Sequence, residues 1–274
     1  MYMKKIMNFL LMAATVCGIS LAAASCSSND DNPATPDLNL SEKIIGKWMQ
    51  AEIDGQPALT NEKSVYTFVS PTKAIANASK CDYTESGSKW IIDLEYDVVI
   101  DGNKMTLTAH PDEVITLIKE LTITSINDNE LVCKFKHTTM RNGQVINTSG
   151  DEHRRYAKLT VNYKEAILGT WQGHCTSEGS VFDDGQEHRW QYNADGTFVY
   201  YVKDGDSWVP SDNSLNEYFV DGTLLCTRWI DNGVENREWW EINIADGKMN
   251  WTALRQNEDG TTFTATFEMT KVVE

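Results

Sequence analysis

The sequence predicts an all-β protein, built as two tandem antiparallel meander β-barrels of about eight strands each behind a signal peptide and a flexible tether. Three observations carry that prediction. A Gly-x-Trp element occurs twice, as Ile45-Gly46-Lys47-Trp48 and Leu168-Gly169-Thr170-Trp171, each opening roughly a hundred residues rich in strand formers. Turn dipeptides punctuate the second stretch at Asp184-Gly185, Asp195-Gly196, Asp204-Gly205, Asp221-Gly222, Asn232-Gly233, Asp246-Gly247 and Asp259-Gly260, and such pairs are strong hairpin signals. Between the turns, apolar and polar residues alternate with the period of a half-buried strand.

Residues 1–25 read as a secretory signal, because Lys4 and Lys5 precede the apolar run Phe9 to Val16, which closes on Leu21-Ala22-Ala23-Ala24-Ser25-Cys26. The run is too short to span a bilayer. The small residues before Cys26 resemble the bacterial lipobox, with Ala23 standing where Leu is usual. That resemblance implies that Cys26 is lipidated and becomes the first residue of the mature chain. Cys17, after Thr15 and Val16, suits such a peptidase worse, and simple cleavage with Cys26 as a bystander is the alternative.

Residues 26–40 form the tether. Ser27-Ser28-Asn29-Asp30-Asp31-Asn32-Pro33 carries too little apolar surface to order itself, and a flexible chain of this length holds the folded part roughly 20 Å from the bilayer. An acidic run directly after the cysteine resembles the surface-export signal of some Gram-negative lipoproteins. It fits an envelope location at the outer membrane, facing either the surface or the periplasm. The membrane is thus an expected partner, through the lipid anchor.

Removing the signal leaves 22 basic against 40 acidic residues, and beyond Lys164 the count is seven against 20. Such a field disfavours nucleic acid and anionic lipid and leaves cations, neutral ligands or basic proteins, or else an acidic surface that serves solubility alone. Cys81, Cys133, Cys175 and Cys226 fall two in each module, so 81 with 133 and 175 with 226 is the natural pairing in an exported chain, with unpaired buried thiols the alternative. No Cys-x-x-Cys or EF-hand spacing calls for a metal, and nothing calls for a cofactor.

Within the second module Phe263, Ala265, Phe267 and Met269 share one face, as do Trp240, Ile242 and Ile244, and Met249, Trp251 and Ala253. The segment from Gly205 to Leu215 contains Pro210 and Ser211-Asp212-Asn213-Ser214 and reads as one long loop, which would lower the strand count to seven. The first module follows the same plan. Tyr96 to Gly102 aligns with Asn216 to Gly222, and Leu121 to Asp128 with Trp240 to Asp246. Pro111-Asp112-Glu113 suits either a helix start or the approach to a strand. A short helix-like segment precedes each Gly-x-Trp, the first from an N-cap at Ser41 and the second over Asn162 to Leu168. The modules are expected to divide at residues 41–160 and 161–274.

A helical turn, then Gly-x-Trp on the first strand of a meander, resembles the lipocalin superfamily, in particular the lipocalin-like domains of bacterial lipoproteins. The resemblance covers Ser41 to Glu274. It implies that Gly46, Trp48, Gly169 and Trp171 are structural, each Trp packing at the closed barrel end beneath a basic residue of the last strand. Arg154 or Arg155 would serve Trp48, and only Lys271 is available to Trp171. It also implies a barrel mouth able to hold a small hydrophobic molecule.

Seven of the nine Trp lie in the second module, which either fill a small core or line a pocket that stacks on a glycan or clasps a hydrophobic ligand. Trp190, Trp208, Trp229 and Trp239 are the candidate ligand-binding residues, Trp208 and Trp239 foremost because neither sits on an apolar strand face. No catalytic constellation accompanies them. His174 beside Cys175 and His188 beside Arg189 lack a third triad member, and Asp183-Asp184 and the Asp204/Asp206 pair read as solvated hairpin tips. The sequence therefore points to a non-catalytic envelope lipoprotein that binds a small molecule, or to a structural or protein-binding component whose barrels are solid.

Overall fold

The computed structural model describes residues 39–273 apart from 82, 83, 85, 86, 88, 179 and 181. The signal, Cys26 and nearly all of the tether lie outside the described residues. The chain is all-β, and its strands form two antiparallel sheets, one following the other.

The first sheet comprises β1 (Gly46–Ile53), β2 (Gln56–Pro57), β3 (Val65–Ser70), β4 (Lys73–Cys81), β5 (Lys89–Asp101), β6 (Lys104–Ala109), β7 (Ile115–Ile126), β8 (Glu130–Arg141), β9 (Gln144–Thr148) and β10 (Glu152–Leu159). Its last strand pairs with both β1 and β8, so eight strands close into a barrel while β2 and β9 lie off the ring. Closure removes the unpaired edges that an open meander would present.

The second sheet comprises β11 (Gly169–Cys175), β12 (His188–Tyr192), β13 (Phe198–Asp204), β14 (Ser207–Pro210), β15 (Ser214–Asp221), β16 (Leu224–Asp231), β17 (Val234–Ala245), β18 (Lys248–Gln256) and β19 (Thr262–Lys271). It curls in the same order but does not close. In the first barrel β4 zips to β5 from Lys73↔Asp97 to Cys81↔Lys89. In the second, β13 gives its free edge to β14, from Tyr201↔Pro210 to Asp204↔Ser207, and meets β15 only at the bridge Thr197↔Glu217. A seam is left between β14 and β15.

The two Gly-x-Trp elements build the same foundation twice. Trp48 and Trp171 are each 1% exposed, and each indole N–H donates to the carbonyl four residues earlier, Trp48 to Ile44 at 2.7 Å and Trp171 to Ile167 at 2.6 Å. A lysine of the last strand, directly opposite in register, lies over each ring: Lys158 at 5.0 Å from the Trp48 centroid and Lys271 at 5.2 Å from that of Trp171. Gly46 and Gly169 adopt φ of 121° and 104°, where side chains are strained, and a Cβ there would meet the lysine Cε at 3.0 and 3.3 Å. Neither Arg154 nor Arg155 serves Trp48. Arg154 covers Phe135 instead and bonds Gln50, while Arg155 pairs with Glu52.

Several local expectations change. Asn39, not Ser41, caps the single helical turn Leu40–Lys43, and the matching segment before Trp171 is a turn rather than a helix. Asp112 accepts from the N–H groups of Val114 and Ile115 at 3.1 and 2.8 Å, which turns the chain into β7 and settles that segment as strand. The segment around Pro210 is not one loop, since it contains β14. Asp184-Gly185 lies in the long connection from β11 to β12 rather than at a hairpin tip. No disulfide forms among the described residues. Cys81 and Cys133 lie in the first core, Cys175 in the second and Cys226 between the sheets, all buried. Burial pushes the Cys133 thiol up to about 12, so it packs as a small apolar group.

Between the sheets Met49 and Val65 of the first pack against Phe219, Leu224 and Cys226 of the second, with Trp90, Leu159 and Trp239 at the margin. Polar ties ring this patch. Lys47 pairs with Asp221, Lys63 with Glu241 at 2.6 Å, and the Leu254 N–H donates to Thr60 Oγ1 at 2.9 Å. Gly222 lies beside this patch, where a Cβ would collide with the Leu159 side chain.

Candidate functional site

The deep core of the first barrel is tightly packed, and a hollow of about 380 Å³ lies where Tyr66, Leu94, Tyr96 and Lys119 face Trp239 of the second sheet. Tyr66, Tyr96 and Tyr156 meet edge to face in the first barrel's interior, and Lys119 inserts between them, bonded to the Tyr66 hydroxyl and 5.0 Å from the Tyr96 ring centroid. The space left among Trp48, Tyr66, Leu107, Phe135 and Tyr156 is about 10 Å³, at the threshold for one water. Burial opposes the charge of Lys119, but the facing Tyr66 and Tyr96 hydroxyls outweigh it and hold its ammonium above the usual range. His137 nearby is pushed down to about 4 by burial and by the charges of Lys119 and Arg154.

The second barrel retains a cavity of about 270 Å³. Strand periodicity builds its walls, since four strands each supply residues two apart on the inner face: His188 and Trp190 from β12, Phe198 and Tyr200 from β13, Thr227 and Trp229 from β16, Glu238 and Trp240 from β17. Trp251 of β18 and Phe267 of β19 form the floor. Phe182 and Asp184 come from the β11–β12 connection, and Asn213 from the seam.

The rings pack tightly on one another. Trp190 lies 4.9 Å from Trp251, Trp240 lies 5.3 Å from Trp251, and His188 stacks on Trp190 at 5.4 Å with 23° between planes. A chain of hydrogen bonds crosses the rim, from Tyr200 Oη to His188 Nδ1 at 2.9 Å and from His188 Nε2 to Asp184 Oδ1 at 3.1 Å. Burial works against charge on Asp184, yet the Gln186 N–H and His188 hold its carboxyl below the ordinary value. Deeper in the wall, Glu238 Oε2 accepts from the Trp240 indole at 3.0 Å. Burial raises the Glu238 carboxyl above its ordinary value against the pull of that bond and of Arg255. The Arg255 guanidinium lies over the Trp240 and Phe182 rings at 4.8 and 5.3 Å and donates to the Trp239 carbonyl at 3.1 Å, behind the lining.

Of the four Trp singled out from the sequence, Trp190 and Trp229 line this cavity. Trp239 is instead wedged between the sheets, its indole donating to Ser79 Oγ of the first barrel at 2.9 Å. Trp208 lies on β14 beneath the Arg189 guanidinium at 4.5 Å, away from the cavity lining. Sequence reasoning missed Trp240 and Trp251 as lining residues, and with them His188, Tyr200 and Glu238. Asp184 is exposed, as a solvated turn residue would be, and also bonds His188 at the rim. The signal for Glu238 was present: it stands two residues before Trp240, on the apolar face of that strand. No cluster of three or more His, Cys, Asp or Glu suited to a metal occurs among the described residues, and none of their helices is long and apolar enough to cross a membrane.

The fold and cavity define the class as a tandem β-barrel protein whose second module holds a ring-lined cavity. No protein-family model matches the chain, and no curated protein matches it. Among solved structures it is similar to a double mutant of the vaccine antigen Transferrin Binding Protein B (TbpB) from Haemophilus parasuis Hp5, at 9% identity and a TM-score of 0.23, over 77% of this chain and 54% of that one. It is likewise similar to intact Ap-TbpB with its N and C lobes, at 9% identity and a TM-score of 0.23, over 77% of this chain and 62% of that one. The chain thus spans between half and two thirds of the length of these structures. Likeness at this level has no bearing on what the chain binds.

Proposed function

We propose that this chain is an envelope lipoprotein, lipidated at Cys26 and held at the outer membrane by its tether, that binds a small molecule non-catalytically in its second barrel. In this reading residues 41–160 are a supporting module and residues 161–274 the binding module. The observation that carries it is the cavity of about 270 Å³ walled by aromatic rings in the second barrel, where the deep core of the first leaves about 10 Å³. A cavity ringed by Trp and Tyr with a few convergent polar groups is the usual form of a small-ligand site. Trp190, Trp229, Trp240 and Trp251 are its contact residues. The tightly packed deep core of the first barrel supports the alternative, structural or protein-binding reading for that module alone.

Native mass spectrometry of the protein purified from its own host tests the reading. A discrete mass released on denaturation, beyond the lipid on Cys26, is the expected result. A bare lipopeptide mass, with no change in tryptophan fluorescence against lipid, amine and sugar panels, would remove the carrier reading in favour of the protein-binding one.

A further inference from the structure

Resting on the reading of the second barrel as a small-molecule site, we propose that its occupant is a small organic cation bearing an oxygen acceptor, of which a hydroxylated quaternary amine is the simplest case. Four observations converge on that chemistry. The ionisable acids of the lining are Asp184 and Glu238, and no Lys or Arg lines the cavity. Arg255 stands against the Trp240 and Phe182 rings and donates to the Trp239 carbonyl, so the lining itself bears two carboxyl groups and no cationic Lys or Arg.

The walls are ring faces. A desolvated cation within about 6 Å of Trp or Tyr centroids is drawn to their quadrupoles, and Trp190, Trp229, Trp240, Trp251 and Tyr200 surround one space. The third observation is an unfilled valence. Trp251 is 3% exposed, and its indole N–H has no hydrogen-bond partner, leaving a buried donor to be met by an oxygen. The fourth is the surplus of 13 acids beyond Lys164, which raises the local concentration of cations around this barrel.

Other occupants meet these features less well. An anion would face Glu238 across a low-dielectric space. A long acyl chain outgrows the volume, given that a cavity of about 150 Å³ holds one benzene, and it offers no cation to the Glu238 carboxyl. A neutral sugar satisfies the indole N–H and the carboxylates by hydrogen bonds but makes no use of the charge. It is the strongest rival and enters the test directly.

The test is a tryptophan-fluorescence titration of the mature protein at pH 7.5 with choline, its uncharged isostere 3,3-dimethyl-1-butanol, tetramethylammonium and N-acetylglucosamine. Choline should bind at least tenfold more tightly than the isostere. Glu238→Gln should weaken choline tenfold or more while leaving the isostere within threefold, and the exposed Asp184→Asn should weaken choline severalfold without touching the core. Trp251→Phe should weaken choline and leave tetramethylammonium unchanged. Equal affinity for choline and the isostere overturns the proposal in favour of a plain apolar pocket. Binding of the sugar alone overturns the ligand class while the carrier reading stands. Silence toward all four overturns the class as well, and only a bare lipopeptide mass in the native spectrum would bring down the carrier reading with it.

Discussion

Two barrels of one plan reach opposite ends, and the divergence traces to a single strand. In the first, β4 lies along β5 and the ring closes around three tyrosines and a lysine. In the second, four extra paired residues, Ser207–Pro210, occupy the edge of β13 and hold β15 off to one bridge. Below that level the modules are nearly superposable in logic, since the Gly-x-Trp foundation, its backbone acceptor and its lysine lid recur within 0.2 Å in the Trp–lysine distance. A barrel anchored at one end can evidently open at the other without losing the anchor.

The comparison breaks most visibly at the foundations. Trp48→Ala and Trp171→Ala should each cost about 3–5 kcal/mol, as fully buried Trp truncations do, lowering the melting temperature by about 10 °C or more. Calorimetry of the pair would show equal losses. A much smaller loss for Trp171→Ala would mean that the open barrel leans less on its base than the closed one.

Asp221→Ala removes the partner of Lys47 across the interface, where the Asp221 side chain is 8% exposed. Lys47 keeps Thr67 as an acceptor at 2.7 Å, so the expected cost is about 2–4 kcal/mol. More telling than the cost is the shape. A single calorimetric transition in the parent should split into two in the variant, and an unsplit transition would show that the apolar patch alone couples the barrels.

The smallest effect has opposite signs in the two modules. His137 is held near 4, below its ordinary 6.5, so the unfolded chain binds its proton first. Its contribution is complete above about pH 6.5 and is lost as pH falls toward 4, about 1–2 kcal/mol after allowing for partial solvent access. Glu238 is raised above its ordinary 4.5, so the folded chain holds that proton longer and stability falls as pH rises through the window above 4.5. Melting curves from pH 4 to 7.5 should therefore flatten at the acid end in His137→Gln and rise at the neutral end in Glu238→Gln. Shifts of the same sign in both variants would contradict the contrast between the interiors.

The sequence announces the hairpins plainly because their chemistry is local. Asn232-Gly233 and Asp246-Gly247 take positive φ at both positions, as two-residue hairpins require, and few other residue pairs manage that. The Gly-x-Trp copies were legible for the same reason. Registers were not. A bulge between Gln50 and Glu52 sets which residue of β10 faces Trp48, and no composition reveals that Lys158 rather than Arg154 arrives there. Trp239 was misread because the face opposite Trp240 should meet water in an isolated barrel, whereas here the other barrel covers it. Glu238 was overlooked because an acid reads as solvent-facing until the strand's phase is counted back from Trp240. Lining residues drawn from six strands and two connections converge only in three dimensions.

The seam between β14 and β15 also exposes backbone that could pair with another copy of the chain, the liability of every open sheet. Here the edge is blunt. β14 is four residues long and ends at Pro210, which has no N–H to offer, while Asp204, Asp206 and Asp212 flank it with like charge. Asn213, beside this edge, also lines the cavity. The cavity's opening and the blunt, acidic edge thus occupy one seam.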